Sequence, residues 1–150
     1  MLEYSDRVRI IDQKIWGVVP LILIVVLAVI ARDRDLNFDA AKFPVRAASF
    51  IPDSGRVFTK DQWGGYLLYR FSGERKVFID GRSDFYGQGF LETYAKVADA
   101  KPEWQNVLNQ YDVDVVLIPV DHALVSALQL SPAWKRVYTD SIATIFQRAS

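Results

Sequence analysis

Cysteine is missing from this chain and histidine occurs once, at His122. The first absence removes disulfides, thiolate nucleophiles and Cys-ligated zinc or iron–sulfur centres, and the second removes multi-His metal sites. No metal and no cofactor are therefore expected. A surplus of charge is missing too: 18 Lys and Arg stand against 18 Asp and Glu. A nucleic-acid binder carries a basic excess, so that class is disfavoured. The phosphate-cradling patterns are absent as well. Gly87-Gln88-Gly89 opens like a nucleotide loop, but no third glycine follows at the needed place. Neither an internal repeat nor a low-complexity stretch interrupts the 150 residues, a length that suits one domain and a little extra.

What the chain does have is an uncharged run, IWGVVPLILIVVLAVIA, over residues 15–31 between Lys14 and Arg32. At ~1.5 Å rise per residue it spans roughly 25 Å, a little short of the ~30 Å hydrocarbon core. Snorkelling by Lys14 and Arg32 and an interfacial Trp16 make up the difference. Pro20 falls in the second turn, where a missing N–H costs little. A buried helix of a soluble protein would show a polar stripe, and this run shows none. Val29-Ile30-Ala31 resembles a signal-peptidase site. Against cleavage, the run exceeds an ordinary signal core, and Glu3, Asp6 and Asp12 balance Arg7, Arg9 and Lys14 in the leader. The expectation is an uncleaved single-pass anchor, with Trp16, Pro20, Leu23, Val26 and Arg32 as its anchor residues. Residues 1–14 are the leader, 32–39 a polar collar and 40–150 the extrinsic domain. Flanking charge does not orient the span, because Arg32, Arg34, Lys42 and Arg46 balance the three Lys and Arg of the leader.

Beyond the collar, strands alternate with helices. The pattern predicts helices at 40–50, at 90–100, after Pro102 and at 122–130, and one capped by Asp61 that carries Trp63, Tyr66, Leu67 and Phe71. Strands are expected at Arg56–Thr59, Lys76–Asp80 and Val113–Val120. Lys135–Thr139 and Ile142–Gln147 read as a terminal hairpin. Val113–Val120 is continuously apolar, as in a strand covered on both faces. The fold class expected is α/β, layered, with a mainly parallel sheet and a C-terminal antiparallel hairpin.

Four residues are candidate ligand contacts: Asp80, Arg82, Trp63 and Tyr86. Ligands collect beyond the carboxyl ends of strands in open α/β sheets. Asp80 closes a strand there, and Arg82 offers a planar fork for a carboxylate or phosphate. Phe85, Tyr86 and Trp63 could add a stacking surface for a sugar. The structural alternative is equally concrete: Asp80 accepts turn N–H groups, Gly81 supplies a positive φ, and Arg82 pairs with Asp80 or Asp84. Trp63-Gly64-Gly65-Tyr66 divides the same way, between close helix packing and room for a bound group. Asp112-Val113-Asp114 matches a metal-dependent transferase pattern, yet it opens a buried strand. There a turn cap and a cation partner are expected instead. Asp33-Arg34-Asp35 matches it beside the membrane. Asp121 suits a helix N-cap. His122 lacks the nucleophile and orienting acid of a triad.

Taken together, FPVRAASFI, VFTKDQWGGYLLYRF, KVFIDGRSDFYG, YDVDVVLIP and WKRVYTDSIATIFQR resemble the C-terminal extracytoplasmic domain of bacterial multi-span C-type glycosyltransferase-like membrane proteins. The resemblance covers roughly residues 40–148, and Trp63-Gly64-Gly65-Tyr66 and Asp80-Gly81-Arg82 are its most specific elements. It implies an outward-facing domain after one membrane helix, hence a periplasmic domain on the bacterial inner membrane. It also implies a lipid-linked sugar donor and a catalytic acid in an early loop of a many-helix module. A chain read as beginning at Met1 with one helix is expected to lack that module, so catalysis is not carried over. The function expected is a non-catalytic accessory subunit docking on integral membrane protein subunits and the lipid bilayer. Respiratory and photosynthetic complexes are the typical hosts of such subunits. The alternative is a periplasmic module that binds a glycan or a lipid headgroup.

Overall fold

The computed structural model describes residues 19–20, 22–25, 38–53 and 55–149. The chain divides into two units, residues 1–37 and 38–150. In the first unit, residues 19–20 and 22–25 are helical. Val19, Ile22, Leu23, Ile24 and Val25 are each more than half exposed. Among the described residues no helix is long and apolar enough to cross a membrane. Most of the expected span, including Trp16, Val26 and Arg32, lies outside them, as do the leader and residues 32–37.

The second unit is a small α/β domain. In chain order it runs α1 (Val45–Ala48), β1 (Arg56–Thr59), α2 (Asp61–Arg70), β2 (Lys76–Val77), α3 (Ser83–Tyr86), α4 (Gln88–Ala98), α5 (Trp104–Gln110), β3 (Val113–Pro119), α6 (Leu124–Leu130), β4 (Trp134–Thr139) and β5 (Ala143–Arg148). The five strands form one sheet in the order β2-β1-β3-β5-β4. β1 pairs in parallel with β2 and with β3, whereas β5 pairs antiparallel with β3 and β4. The sheet is thus mixed rather than mainly parallel, because the terminal hairpin inserts β5 beside β3 and leaves β4 at the edge.

β3 is the spine. Val113, Val116 and Ile118 pack with Phe58 and Phe146 in a core that also holds Val97, Trp104, Leu108 and Leu124. Val115 and Leu117 join Val57, Ala143 and Ile145 in a second core with Ala47, Trp63, Tyr66 and Leu67. Helices therefore cover both faces, and the uninterrupted apolar run follows from that. A register irregularity between the Arg56–Val113 and Val57–Val115 pairs leaves Asp114 without a partner on β1.

Several elements are shorter than their sequence patterns. The helix expected over 40–50 is only Val45–Ala48. Proline disfavours helical geometry in the residue before it, so no helix can run through Phe43 into Pro44. The strand expected over Lys76–Asp80 pairs only at Lys76 and Val77. Phe78 donates its N–H to the Val57 carbonyl (2.8 Å), after which the chain leaves β1. α4 ends where Ala100 takes φ 51°. α6 starts at Leu124 and not at 122, and its free Leu124 N–H goes to His122 Nδ1 (3.3 Å) rather than to the exposed Asp121. Helix α3, absent from the sequence pattern, is separated from α4 by Gly87, whose φ of 73° suits glycine.

Candidate functional site

The segment after β2 is positioned by α2. A Cβ at Gly64 would stand 1.9 Å from the Ile79 carbonyl oxygen and 3.2 Å from Asp80 Cα. Only glycine admits this approach, so close packing is the role of Gly64. Gly65 faces open space. Pressed against α2, Phe78, Ile79 and Asp80 are buried.

The Asp80 side chain is 4% exposed and that of Arg82 67%. Arg82 donates to it from three atoms: its backbone N–H to Oδ1 (3.1 Å), Nε to Oδ1 (3.0 Å) and Nη2 to Oδ2 (2.7 Å). The Arg82 guanidinium holds the Asp80 carboxyl below the usual carboxylate range, outweighing burial, which acts in the opposite direction. The Arg82 N–H and the Tyr86 hydroxyl reinforce the shift. The guanidinium also lies 5.4 Å from the ring centre of Phe85, itself 77% exposed. Gly81 is not among the glycines with positive φ, which are Gly55, Gly73 and Gly87, so it does not play the part expected of it. The turn is held by the aspartate instead.

Asp80, Arg82 and Tyr86 line one cleft of about 420 Å³ together with Arg56, Arg75, Lys76 and Tyr111. Tyr86 stacks on Phe90 (5.1 Å) and Phe90 on Phe78 (5.0 Å), giving the cleft an aromatic wall. Trp63 is not there. It is buried in the other core and donates its indole N–H to the Lys42 carbonyl oxygen (2.9 Å), so it offers no stacking surface. Of the four expected ligand residues, three converge and one belongs to the core.

The cations Arg56, Arg75 and Lys76 are not apparent from sequence position alone. A signal for two of them exists: Arg56-Val57-Phe58 and Lys76-Val77-Phe78 are nearly the same tripeptide. They lie side by side in parallel register, Arg56 against Lys76 and Val57 against Val77.

The remaining candidates are engaged structurally. Asp114 Oδ1 stands 4.0 Å from Arg148 Nε, as a cation partner should, and Asp112 adopts φ 50° in the turn before β3. Among the described residues, no group of three or more His, Cys, Asp or Glu could hold a metal ion. His122 is half-buried, and burial lowers its imidazole pKa. Its Nδ1 serves as a helix cap.

No family model and no curated protein matches the chain. Among solved structures, the C-terminal globular domain of an oligosaccharyltransferase from Archaeoglobus fulgidus is similar, with a TM-score of 0.50. The match covers 70% of this chain and 95% of that one at 12% identity, a likeness of fold. The α/β domain thus shares its architecture with a domain that ends an oligosaccharyltransferase.

Proposed function

We propose that this chain is a non-catalytic, single-span accessory subunit whose α/β domain docks on a larger membrane protein assembly. The observation that carries the reading is the exposure of Val19, Ile22, Leu23, Ile24 and Val25, each above half, in helical conformation within an uncharged run. Apolar helical surface of that kind is stable against lipid or a protein partner and not against water. A bacterial inner membrane, with the domain on the periplasmic side, accommodates both the run and the C-type glycosyltransferase-like sequence segments. Likeness of fold to a domain of an oligosaccharyltransferase supports descent from such an enzyme's C-terminal part. Asp80 and His122 are engaged locally, Asp80 by Arg82 and His122 by the Leu124 N–H.

The full chain is expected to sediment with membranes and resist alkaline extraction, and an Ile22→Lys, Ile24→Lys variant to be released. Native mass spectrometry after mild detergent extraction is expected to show stoichiometric membrane protein partners. Recovery of the unaltered chain in the soluble fraction after gentle lysis removes the anchor. Recovery as a lone monomer removes the accessory role.

A further inference from the structure

The cleft beside β2 carries four cations, Arg56, Arg75, Lys76 and Arg82, against one carboxylate, Asp80. Two of the four have local ion partners. Arg75 Nη2 contacts Asp53 Oδ1 at 2.6 Å, and Arg82 is forked onto Asp80. The other two do not. Arg56 Nη1 donates to a neutral acceptor, the Tyr111 carbonyl oxygen (2.5 Å), and Lys76 has no ion pair among the described residues. Strand register sets these two cations directly opposite each other. Like charges facing across adjacent strands destabilise a sheet, and the cost falls when an anion lies between them.

Three of the same cations also border a smaller cleft of about 310 Å³ that holds Asp53, Glu74, Asp112 and Asp114. Asp53 is committed to Arg75, Asp114 stands nearest Arg148, and Glu74 and Asp112 make no ion pair among the described residues. The larger cleft therefore faces a ligand with Arg56, Lys76 and the exposed part of Arg82. A single carboxylate would leave much of that charge unmatched, whereas a phosphate ester, dianionic near neutral pH, matches it better. The wall formed by Tyr86, Phe90 and Phe78 can hold the body of the ligand.

We propose that Arg56 and Lys76, set side by side by strand register, form with Arg82 a binding site for the phosphate of a phosphorylated ligand. The monoester could be a lipid headgroup with a terminal phosphate, as in phosphatidic acid, or a soluble sugar phosphate. The site does not depend on the membrane anchor.

The test uses the full chain in neutral detergent, titrated with inorganic phosphate and with glycerol phosphate against chloride of equal ionic strength. Amide hydrogen exchange over residues 56–58 and 76–82 is the readout. Protection specific to phosphate is expected, with apparent affinity lowered about tenfold in Lys76→Gln, the loss of one charge-assisted contact. Lys76 is exposed and has no ion pair among the described residues, so this variant should keep the fold, and Arg56→Gln is the stronger second variant. Protection by soluble esters identifies a free ligand. Protection only in lipid discs that contain phosphatidic acid, and not in phosphatidylcholine discs, identifies a headgroup. Protection in neither, or protection unchanged in folded Lys76→Gln, overturns the proposal.

Discussion

Asp80, in the turn beyond β2, and Asp140, directly after β4, use the same local device. Asp80 Oδ1 accepts the Arg82 N–H at 3.1 Å, and Asp140 Oδ1 accepts the Ile142 N–H at 2.8 Å, each two residues on. Their surroundings then diverge. Asp140 also accepts the Ala143 N–H (2.8 Å) and the Tyr138 hydroxyl (2.7 Å), and Tyr138 stacks on Phe50 at 4.3 Å. Every hydrogen-bond partner of that carboxylate helps close a hairpin. Asp80 instead holds a guanidinium at the lip of a cleft to which β1 and β2 bring further cations. An aspartate that begins a turn is therefore not evidence of a site. What distinguishes Asp80 is charge delivered from strands remote in sequence.

Gly64→Ala breaks this comparison most severely. The new methyl group would sit 1.9 Å from the Ile79 carbonyl oxygen, so either α2 or the 78–80 segment must move. Overpacking against backbone costs about 3 kcal/mol or more. Chemical denaturation should show that loss, and NMR should show resonances near Asp80 displaced while those near Asp140 stay. A loss below about 1 kcal/mol is incompatible with so close an approach.

Removing each carboxylate in turn sharpens the comparison. Asp140→Asn and Asp80→Asn should each cost about 1–2 kcal/mol, from weakened hydrogen bonds to partly buried donors. Burial opposes ionisation of Asp140, but Tyr138 and the two N–H groups outweigh it and hold its carboxyl below the usual range. Asp80 is lowered chiefly by Arg82. Folded values below the unfolded one, about 3.9, mean that the stabilisation is complete above that pH. It is lost as pH falls through the lower folded values. Stability of the unaltered chain should thus decline below about pH 4, and each variant should decline less steeply. An Asp140→Asn variant with the unaltered slope would show that its carboxylate is not held in this way.

Much of this architecture is legible in the sequence because periodicity reports burial. Arg56–Thr59 matches β1, and VDVVLIPV differs from β3 only by Val120. Asp61, expected as the cap of α2, is instead its first residue, with Lys60 at the cap position, and the hairpin falls within a residue or so of its expected limits. Local pattern fails where tertiary contact decides. Phe78 to Asp80 look like strand, but α2 pins them beyond the ladder. Trp63 looks like a ligand platform because an indole beside two glycines suits either a pocket or a core. Which one depends on the face of the sheet that α2 covers. Lys76 and Arg56 pass unremarked as strand-opening charges until parallel register sets them together.

The smallest expected effect separates the two glycines of α2. A Cβ at Gly65 meets nothing within 4 Å, and the position is an exposed helix interior. Alanine there loses less backbone freedom on folding, so Gly65→Ala should stabilise the domain by about 0.5–1 kcal/mol. The two neighbouring substitutions, chemically the same, should then differ in sign. If Gly65→Ala destabilises instead, that surface is covered by a group the isolated domain lacks. The natural candidate is a partner seated on α2, and repeating the measurement on the chain purified free of membrane components would decide it. A gain restored under those conditions assigns the contact to the partner, while a persistent loss means that the Gly65 position is not open helix surface.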